Sequence, residues 1–171
     1  MTRPPLPPPD SPFGVQQAEL QSAQQIAERC AAIMWQEDHA ARGLGVELME
    51  IAPGMARLRM TVRADMVNGH GSCHGGFIFT LADATFAYAC NTDNHRAVAS
   101  GADISFLAPA HTGDVLTSVG HVRSQGGRNG VYDVEVSNQE GRTIALFRGR
   151  STRVKGHFFA GTPNTDTGTP S

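Results

Sequence analysis

The sequence predicts an α+β fold in which an antiparallel sheet wraps around one long central helix. The first indication is the segment from Gly75 to Cys90, which is apolar on nearly every face and must therefore be covered on most of its circumference. The second is a series of alternating apolar and polar segments, two before this helix and four after it, which is typical of strands. Because these strands do not alternate with helices, a doubly wound parallel sheet is excluded.

A chain of 171 residues is long enough for one domain with a core and too short for two. Residues 1–14 are rich in proline and hold few large apolar side chains, so we expect a disordered tail there. Residues 157–171 end in GTPNTDTGTPS and are expected to form a second disordered tail, which is polar. The single domain is accordingly expected at residues 15–156.

An amphipathic helix opens the predicted domain, from about Gln16 to Ala41, and ends at the following glycines. Its apolar residues recur at i, i+4, i+7 and i+8, and they are Ile26, Cys30, Ile33 and Met34. An antiparallel hairpin follows, with its turn at Pro53-Gly54. In its second strand Leu58 and Met60 alternate with Arg57 and Arg59, so one face of the hairpin is expected to face water.

Four more strands are predicted after the central helix, each bounded by a turn. Their apolar positions are Ile104 and Phe106, then Val115 and Val119, then Tyr132, Val134 and Val136, and last those of a segment from about Thr143 to Val154. Glycine-rich stretches such as GGRNG before Tyr132 are typical of the turns between them. Together with the hairpin, these strands supply enough sheet to cover the central helix.

Charge and cysteine content limit the partners and the compartment. The formal net charge is −2 and no run of Lys or Arg is present, so we do not expect nucleic acid as a partner. Three cysteines, Cys30, Cys73 and Cys90, do not form a disulfide framework, and no signal peptide is expected, so the cytoplasm is the predicted location. The apolar run ending at Cys90 is shorter than a membrane span and contains Asp83, so a membrane is not expected either.

Asp83 is the one charged residue between Gly75 and Cys90, and its neighbours in sequence are mostly of types that are buried in folded proteins. A carboxylate is costly to bury unless a partner solvates it or a reaction uses it. Two interpretations of Asp83 follow. It is either a structural carboxylate whose hydrogen bonds are satisfied by other residues, or a general base or nucleophile. The glycine-rich loop NGHGSCHGG that runs into the helix favours the second interpretation.

On three segments the sequence resembles the PaaI-type hotdog-fold acyl-CoA thioesterases, the branch associated with phenylacetate degradation. The segments are NGHGSCHGGFIFTLADATFAYACN, AVASGADISFLAPAHTGD and QGGRNGVYDVEVSNQEGRTIALFRGRS, and with the preceding helix and hairpin they cover about residues 26–156. The HGG followed by LAD is the most specific part. The resemblance implies a hotdog fold and hydrolysis of a phenylacetyl- or hydroxyphenylacetyl-type acyl-CoA to the free acid and CoA. It implies no cofactor, since CoA is part of the substrate, and a homo-oligomer, either a dimer or a tetramer.

The resemblance also implies roles for four residues. Asp83, the Asp of LAD, corresponds to the family's catalytic carboxylate, which activates water or attacks the thioester. Gly75, the first Gly of HGG, corresponds to the residue whose backbone N–H polarises the thioester carbonyl. Asn68 and His74 correspond to residues of the loop that lines the site.

One position departs from the family pattern, because some relatives carry a Ser or Thr near the carboxylate that helps to hold the water. Here Ala84 and Ala99 occupy plausible equivalents, and Thr85 and Ser100 each lie one residue away. The residue that holds the water is therefore not assigned by the sequence.

The spacing between Gly75 and Asp83 has a physical consequence. A free N–H at a helix start is a suitable donor for a developing oxyanion, and glycine allows a ligand to approach the backbone closely. Eight residues along one helix are roughly 12 Å, whereas two groups acting on one carbonyl must lie about 6 Å apart. We therefore predict that the loop of one subunit meets Asp83 of another across a two-fold axis.

Several alternatives stay open at this point. His74 caps the helix or lines the site, and Asn68, followed by Gly69, belongs to a turn or to the site. A metal site at His70, Cys73 and His74 is not expected, since a second ligand pair is missing. The rival functions are a hotdog dehydratase of hydroxyacyl thioesters and a non-catalytic acyl-CoA-binding regulator.

Coenzyme A carries phosphates, so an acyl-CoA thioesterase should present cations near the mouth of its site. Arginine suits phosphate because its guanidinium donates two parallel hydrogen bonds. The candidate residues for CoA phosphates are Arg123, Arg128, Arg148 and Arg150, with Lys155 beside them.

Overall fold

The computed structural model describes the backbone of residues 12–160 and the side chains of residues 22–160. The helices are α1 (Pro12–Glu37), α2 (His39–Gly43) and α3 (Gly75–Cys90). The strands are β1 (Glu47–Ala52), β2 (Met55–Thr61), β3 (His95–Phe106), β4 (Val115–Gly126), β5 (Asn129–Ser137) and β6 (Thr143–His157). A 3-10 turn, Ala64–Met66, lies between β2 and α3. This order confirms the predicted sequence of helix, hairpin, central helix and four strands.

The strands form one antiparallel sheet in the order β1-β2-β4-β5-β6-β3. The central helix α3 packs on the inner face of this sheet, mainly on β2, β4 and β5. This is the hotdog arrangement that the sequence predicted. Because β3 stands at the end of the strand order, it has β6 as its single neighbour among the described strands.

The β1–β2 hairpin shows the predicted turn and the predicted faces. Gly54 has a φ of +71°, a left-handed conformation that glycine adopts without strain. Leu58 and Met60 are fully buried against the helix, while Arg57 and Arg59, which alternate with them, face the solvent side. The alternation in the sequence therefore identified the inner face correctly.

Close contact between α3 and the sheet depends on a glycine in β6. The ring of Phe86 lies over Gly149, where a Cβ atom would approach the ring's Cδ2 to 2.6 Å. The rings of Tyr132 and Phe147 flank Phe86, with centroid distances of 5.6 and 6.0 Å. Because protein interiors are close-packed, this aromatic cluster needs the three large rings and also the space left by the glycine at residue 149.

The N-terminal helix differs from the prediction, which gave one helix from Gln16 to Ala41. The structure instead ends α1 at Glu37 and begins α2 at His39, because Asp38 leaves the helical conformation and caps α2 by accepting a hydrogen bond from the Ala41 N–H. The same carboxylate accepts a hydrogen bond from the Tyr88 hydroxyl at 3.1 Å. The break in the helix therefore ties the N-terminal helices to α3.

The predicted boundaries of the two tails also differ from the structure. Residues 12–14 lie within α1, and the last strand continues past Val154 to His157. Beyond it, Phe158 and Phe159 donate backbone hydrogen bonds to the Asn94 side chain, so an ordered segment extends past the predicted start of the tail at residue 157. The rest of both predicted tails, residues 1–11 and 161–171, lies outside the described residues.

Within the described part of the chain, no helix combines the length and the apolar character needed to cross a membrane.

Candidate active site

Asp83 lies in the middle of α3 and lines a cavity of about 430 Å³. Phe86, Ala87 and Cys90 line the same cavity from the following two turns of the helix. Its other residues come from α1, from the residue after α3, from β3, from β6 and from the segment after β6, and they are Met34, Asn91, Arg96, Ala97, Val98, Ala99, Val154 and Phe158. Most of this surface is apolar, so Asp83 is a carboxylate in an apolar cavity of ligand size.

The carboxylate of Asp83 is half-buried and has neither a hydrogen bond nor an ion pair with any described residue. Burial raises the pKa of Asp83 above its ordinary value of 3.8, because desolvation disfavours the charged form. A structural carboxylate would be expected to have a partner. The absence of one among residues 22–160 leaves Asp83 available to water or to a ligand.

Gly75 begins α3, and its backbone N–H donates to no described residue. The two N–H groups that follow are occupied: Gly76 donates to His74 Nδ1 at 3.0 Å and Phe77 donates to the His74 carbonyl at 3.0 Å. A free N–H at a helix start carries partial positive charge from the helix dipole. The helix therefore presents one donor, at Gly75, to an approaching anion.

A second cavity, of about 510 Å³, lies beside Gly75. Its lining is Ser72, Cys73, Gly75, Ile78, Phe106, Leu107, Ala108 and Pro109. The Phe106 ring at the end of β3 lies against Gly75, so close that a Cβ at residue 75 would stand 3.0 Å from the ring. A side chain at residue 75 would therefore displace the Phe106 ring slightly.

His74 is the N-cap of α3, and its ring is exposed. Since Nδ1 accepts the Gly76 N–H, the ring hydrogen of a neutral imidazole must be on Nε2. Of the two interpretations of His74, the structure displays the capping role directly. A role in lining the site stays a prediction.

Asn68 organises the loop that precedes the helix. Its Oδ1 accepts the backbone N–H of His70 at 2.8 Å and that of Ser72 at 3.4 Å. Its backbone N–H donates to the Ser72 carbonyl, and its carbonyl accepts from Gly71. These bonds make Asn68 the centre of a closed turn, which sets the path of the chain into His74 and Gly75.

The two halves of the site are separate within one chain. Gly75 and Asp83 lie on the same helix, roughly 12 Å apart along its axis, and line different cavities that share no residue. One chain thus holds the free N–H of Gly75 in one cavity and the Asp83 carboxylate in the other. The two groups do not meet within one chain.

The water-holding residue is still unassigned. Thr85 is fully buried, donates to the Leu81 carbonyl and packs towards Gly120 of β4, away from the Asp83 cavity. Ser100 lies at an irregularity in the β3–β6 register and donates to the Arg150 carbonyl. Neither hydroxyl lines the cavity of Asp83 in this chain.

None of the four predicted CoA-binding arginines lines either cavity. Arg148 donates twice to Asp133, at 2.6 and 2.9 Å, and Arg123 pairs with the same carboxylate at 3.2 Å. The remaining two are also engaged, Arg150 with Asp103 at 2.7 Å and Arg128 with the Arg153 carbonyl. A phosphate would have to compete with these acceptors, so their role stays a prediction.

Sequence reasoning missed two residues that line the Asp83 cavity. Arg96 and Phe158 both line it, and the Arg96 guanidinium lies 4.7 Å above the centre of the Phe158 ring. The sequence signal was present, since HFF at residues 157–159 is too apolar for a polar tail. Among the described residues no group of three or more His, Cys, Asp or Glu side chains is arranged to hold a metal ion.

Comparison with known proteins places this geometry in a family. Residues 70–145 match the Thioesterase superfamily. Acyl-coenzyme A thioesterase PaaI of Escherichia coli is 50% identical over 126 residues, which are 74% of this chain and 90% of that protein. Acyl-coenzyme A thioesterase 13 of Homo sapiens is 30% identical over 115 residues, 66% of this chain and 81% of that protein.

Solved structures agree with the sequence relatives. The E. coli PaaI protein from the phenylacetic acid degradation operon superposes with a TM-score of 0.78 at 47% identity, over 79% of this chain and 98% of that one. A Streptococcus mutans protein bound to acetyl CoA has a TM-score of 0.63 at 25% identity, over 66% of this chain and 90% of that one. The chain therefore belongs to the thioesterase superfamily, in its PaaI-type branch with the hotdog fold, and is a thioester hydrolase.

Proposed function

We propose that the enzyme hydrolyses acyl-CoA thioesters of aromatic acids, of the phenylacetyl or hydroxyphenylacetyl type, to the free acid and CoA. The observation that carries the proposal is Asp83, a half-buried carboxylate without a partner among the described residues, in an apolar cavity. The helix that holds it also presents the free N–H of Gly75. The E. coli relative, an acyl-CoA thioesterase from a phenylacetic acid degradation operon, supports this substrate class.

In the proposed reaction, the Gly75 N–H donates a hydrogen bond to the thioester oxygen as negative charge develops there. Asp83 acts in one of two ways. As a general base it takes a proton from water, whose oxygen bonds to the carbonyl carbon while the carbon–sulfur bond breaks. As a nucleophile its own oxygen bonds to that carbon, CoA thiolate leaves, and water then hydrolyses the resulting anhydride.

The rate enhancements expected of an oxyanion donor and of a general base are sufficient for this reaction. An oxyanion donor contributes on the order of 10²- to 10³-fold in rate, and a positioned base on the order of 10²- to 10⁴-fold. Thioesters are activated substrates, so these two contributions are adequate without a metal. The aromatic acyl group is expected in the Asp83 cavity, whose volume of about 430 Å³ and apolar lining suit a single ring.

The active oligomer is proposed to be at least a dimer that pairs along β3. This strand is 12 residues long, its outer edge has no neighbour among the described strands, and Val98 and Phe106 on it are both 51% exposed. A long apolar edge of this kind readily pairs with another strand. Pairing two β3 strands would bring the Gly75 cavity of one subunit, which Phe106 lines, towards the partner subunit's Asp83.

The rival functions fit the described residues less well. A dehydratase needs a His beside the carboxylate; in the proposed shared site this would be the partner subunit's His74, whose Nδ1 is already occupied by the Gly76 N–H, and the relatives named above are acyl-CoA thioesterases. A regulator that only binds acyl-CoA has no use for an unpartnered carboxylate whose burial is costly.

The test is thiol release from a panel of aromatic and aliphatic acyl-CoAs. Wild-type enzyme should release CoA from the aromatic members, and Asp83→Asn should lower kcat by about 10²- to 10⁴-fold, because the amide cannot accept a proton or attack. Glu50→Gln is the control, since it removes an exposed carboxylate that pairs with Arg57 at the opposite end of the sheet and should leave kcat unchanged. Full activity of Asp83→Asn would refute the proposal, and loss of water without thiol release would identify a dehydratase.

A further inference from the structure

The cavity beside Asp83 follows one face of α3. Asp83, Phe86, Ala87 and Cys90 all line it, and their spacing of i, i+3, i+4 and i+7 places them on one stripe of the helix. From Asp83 to Cys90 the helix rises by roughly 10 Å. The cavity therefore runs from the carboxylate towards the C-terminal end of the helix.

Phe158 lies beyond the last strand and lines the cavity at that end, because the loop that follows α3 holds its backbone. The loop after α3 holds it there through Asn94, which is fully buried and has a φ of +66°. Asn94 Oδ1 accepts the backbone N–H groups of Phe158 and Phe159 at 3.0 and 3.1 Å, and its Nδ2 donates to the Phe159 carbonyl at 2.9 Å. One side chain thus fixes the backbone of two successive residues.

The ring of Phe158 is fixed as well as its backbone. The Arg96 guanidinium lies 4.7 Å from the ring centre, and Arg96 Nε donates to the His157 carbonyl at 3.2 Å. A cation held over an aromatic ring in this way is attracted to the face of the ring. Phe158 is therefore a wall with a defined position, and the neighbouring Phe159, which stacks on Arg29 instead, does not line the cavity.

From this geometry we infer that Phe158 limits the length of the acyl group that the enzyme accepts, with Asn94 and Arg96 as the residues that position it. The inference rests on the proposed function, in which the thioester carbonyl lies at Asp83 and the acyl group fills the cavity. A compact arylacetyl group ends before Phe158. Each added methylene moves the aromatic ring of the substrate towards that wall. Selectivity for short aryl-alkanoyl groups therefore resides in Phe158, a residue far from Asp83 in the sequence.

The test compares kcat/KM for phenylacetyl-, phenylpropionyl- and phenylbutyryl-CoA. Wild type should prefer the shortest substrate, and Phe158→Ala should raise the phenylbutyryl to phenylacetyl ratio by about tenfold or more, the discrimination typical of one or two methylenes in an apolar pocket. Asn94→Gly keeps the left-handed backbone and removes the side-chain bonds, so it should shift the ratio in the same direction while Phe158 is still present. This second variant gives the answer if Phe158→Ala does not fold.

Phe159→Ala is the matched control, because it removes the same atoms one residue further along and leaves the cavity wall intact. Its ratio should equal that of wild type. An active wild type with an unchanged ratio in Phe158→Ala and Asn94→Gly would overturn this inference and leave the proposed function standing. A wild type that releases no thiol from any of the three substrates would overturn both.

Discussion

Asp83 is held in an environment that favours its neutral form, although the proposed reaction needs its charged form. Burial raises its pKa above 3.8, and no described residue offsets the desolvation. The folded protein therefore binds the Asp83 proton more tightly than the unfolded chain does. By linkage, Asp83 lowers the free energy of unfolding as pH rises through its folded pKa, and it has no such effect below 3.8, where the carboxyl is protonated in both states.

Two pH profiles with opposite slopes follow from this. The kcat/KM of wild type should rise with pH along a limb whose apparent pKa lies above 3.8, because Asp83 must be ionised to act as base or nucleophile. Over the same range its melting temperature should fall relative to that of Asp83→Asn, since the amide needs no ionisation. The two melting temperatures should converge as the pH approaches 3.8.

Thermal melts of both proteins across pH, at one protein concentration, check the stability half of this prediction. Initial rates with one aromatic acyl-CoA check the kinetic half. An Asp83→Asn protein that is less stable than wild type at neutral pH would show that the carboxylate has a stabilising partner and is structural.

Single residues of this site differ in how far the sequence discloses them. Asp83 was predictable because it is the one charge in an apolar segment, and Gly75 because glycine precedes that segment directly. For Arg96 and Phe158 the sequence gives only a part: the apolar HFF at residues 157–159 indicates an ordered segment, but the contact between the start of β3 and the segment after β6 forms only in the folded sheet. Asn94 has no local signal at all, because its partners lie at the other end of the domain.

At the scale of elements, α3 is the structure around which the sheet closes, and its fit to β6 is tight. Phe86 occupies the space that a side chain at Gly149 would need. The requirement is steric, because Gly149 is not among the glycines with positive φ. The position of α3 on the sheet therefore depends on a large side chain at Phe86 and on the lack of a side chain at Gly149.

Gly149→Ala should lower the free energy of unfolding by about 1–3 kcal/mol, the usual cost of overpacking a core. Its Cβ would lie 2.6 Å from Phe86, and that ring is itself packed between two others. Gly126→Ala is the control, because a Cβ there meets no atom within 4 Å, and its effect should stay within about 0.5 kcal/mol. Urea titrations at equal protein concentration measure both, and equal midpoints for the two variants would contradict the packing argument.

Strands were predicted correctly where a local sequence pattern determines them. They were missed where pairing with a distant strand determines them. The β1–β2 hairpin is encoded by its alternation and its Pro53-Gly54 turn, and both were predicted. The start of β3 at His95 was not, because irregularities in its register with β6, between His95 and Ala97 and between Ala99 and Gly101, disturb the alternation there. Long-range pairing with β6 makes this stretch a strand, and a single sequence does not show that pairing.

At the scale of the whole molecule, the described residues place the Gly75 N–H and the Asp83 carboxylate in separate cavities, and the edge strand β3 lies beside both. The Gly75 cavity contains a donor without a carboxylate, and the Asp83 cavity contains a carboxylate without a free helix start. The 12-residue edge of β3 borders both, since Phe106 lines the first cavity and Val98 lines the second. A two-fold axis at this edge would complete two equivalent sites at once.

Hybrid oligomers test whether the sites are shared. Asp83→Asn chains lack the carboxylate and Gly75→Pro chains lack the N–H, so each alone should be inactive, whereas a hybrid dimer would contain one site with both defects and one with neither. Random mixing of equal amounts makes half of the dimers hybrid, so activity should recover to about a quarter of wild type.

Proline is tolerated at the first position of a helix, but its ring carbons approach Phe106. Gly75→Ala serves as the control, because it adds the same Cβ and keeps the N–H, and it separates loss of the donor from displacement of the ring. If mixing restores no activity while size measurements show that hybrids form, each site lies within one chain and the shared-site proposal is wrong.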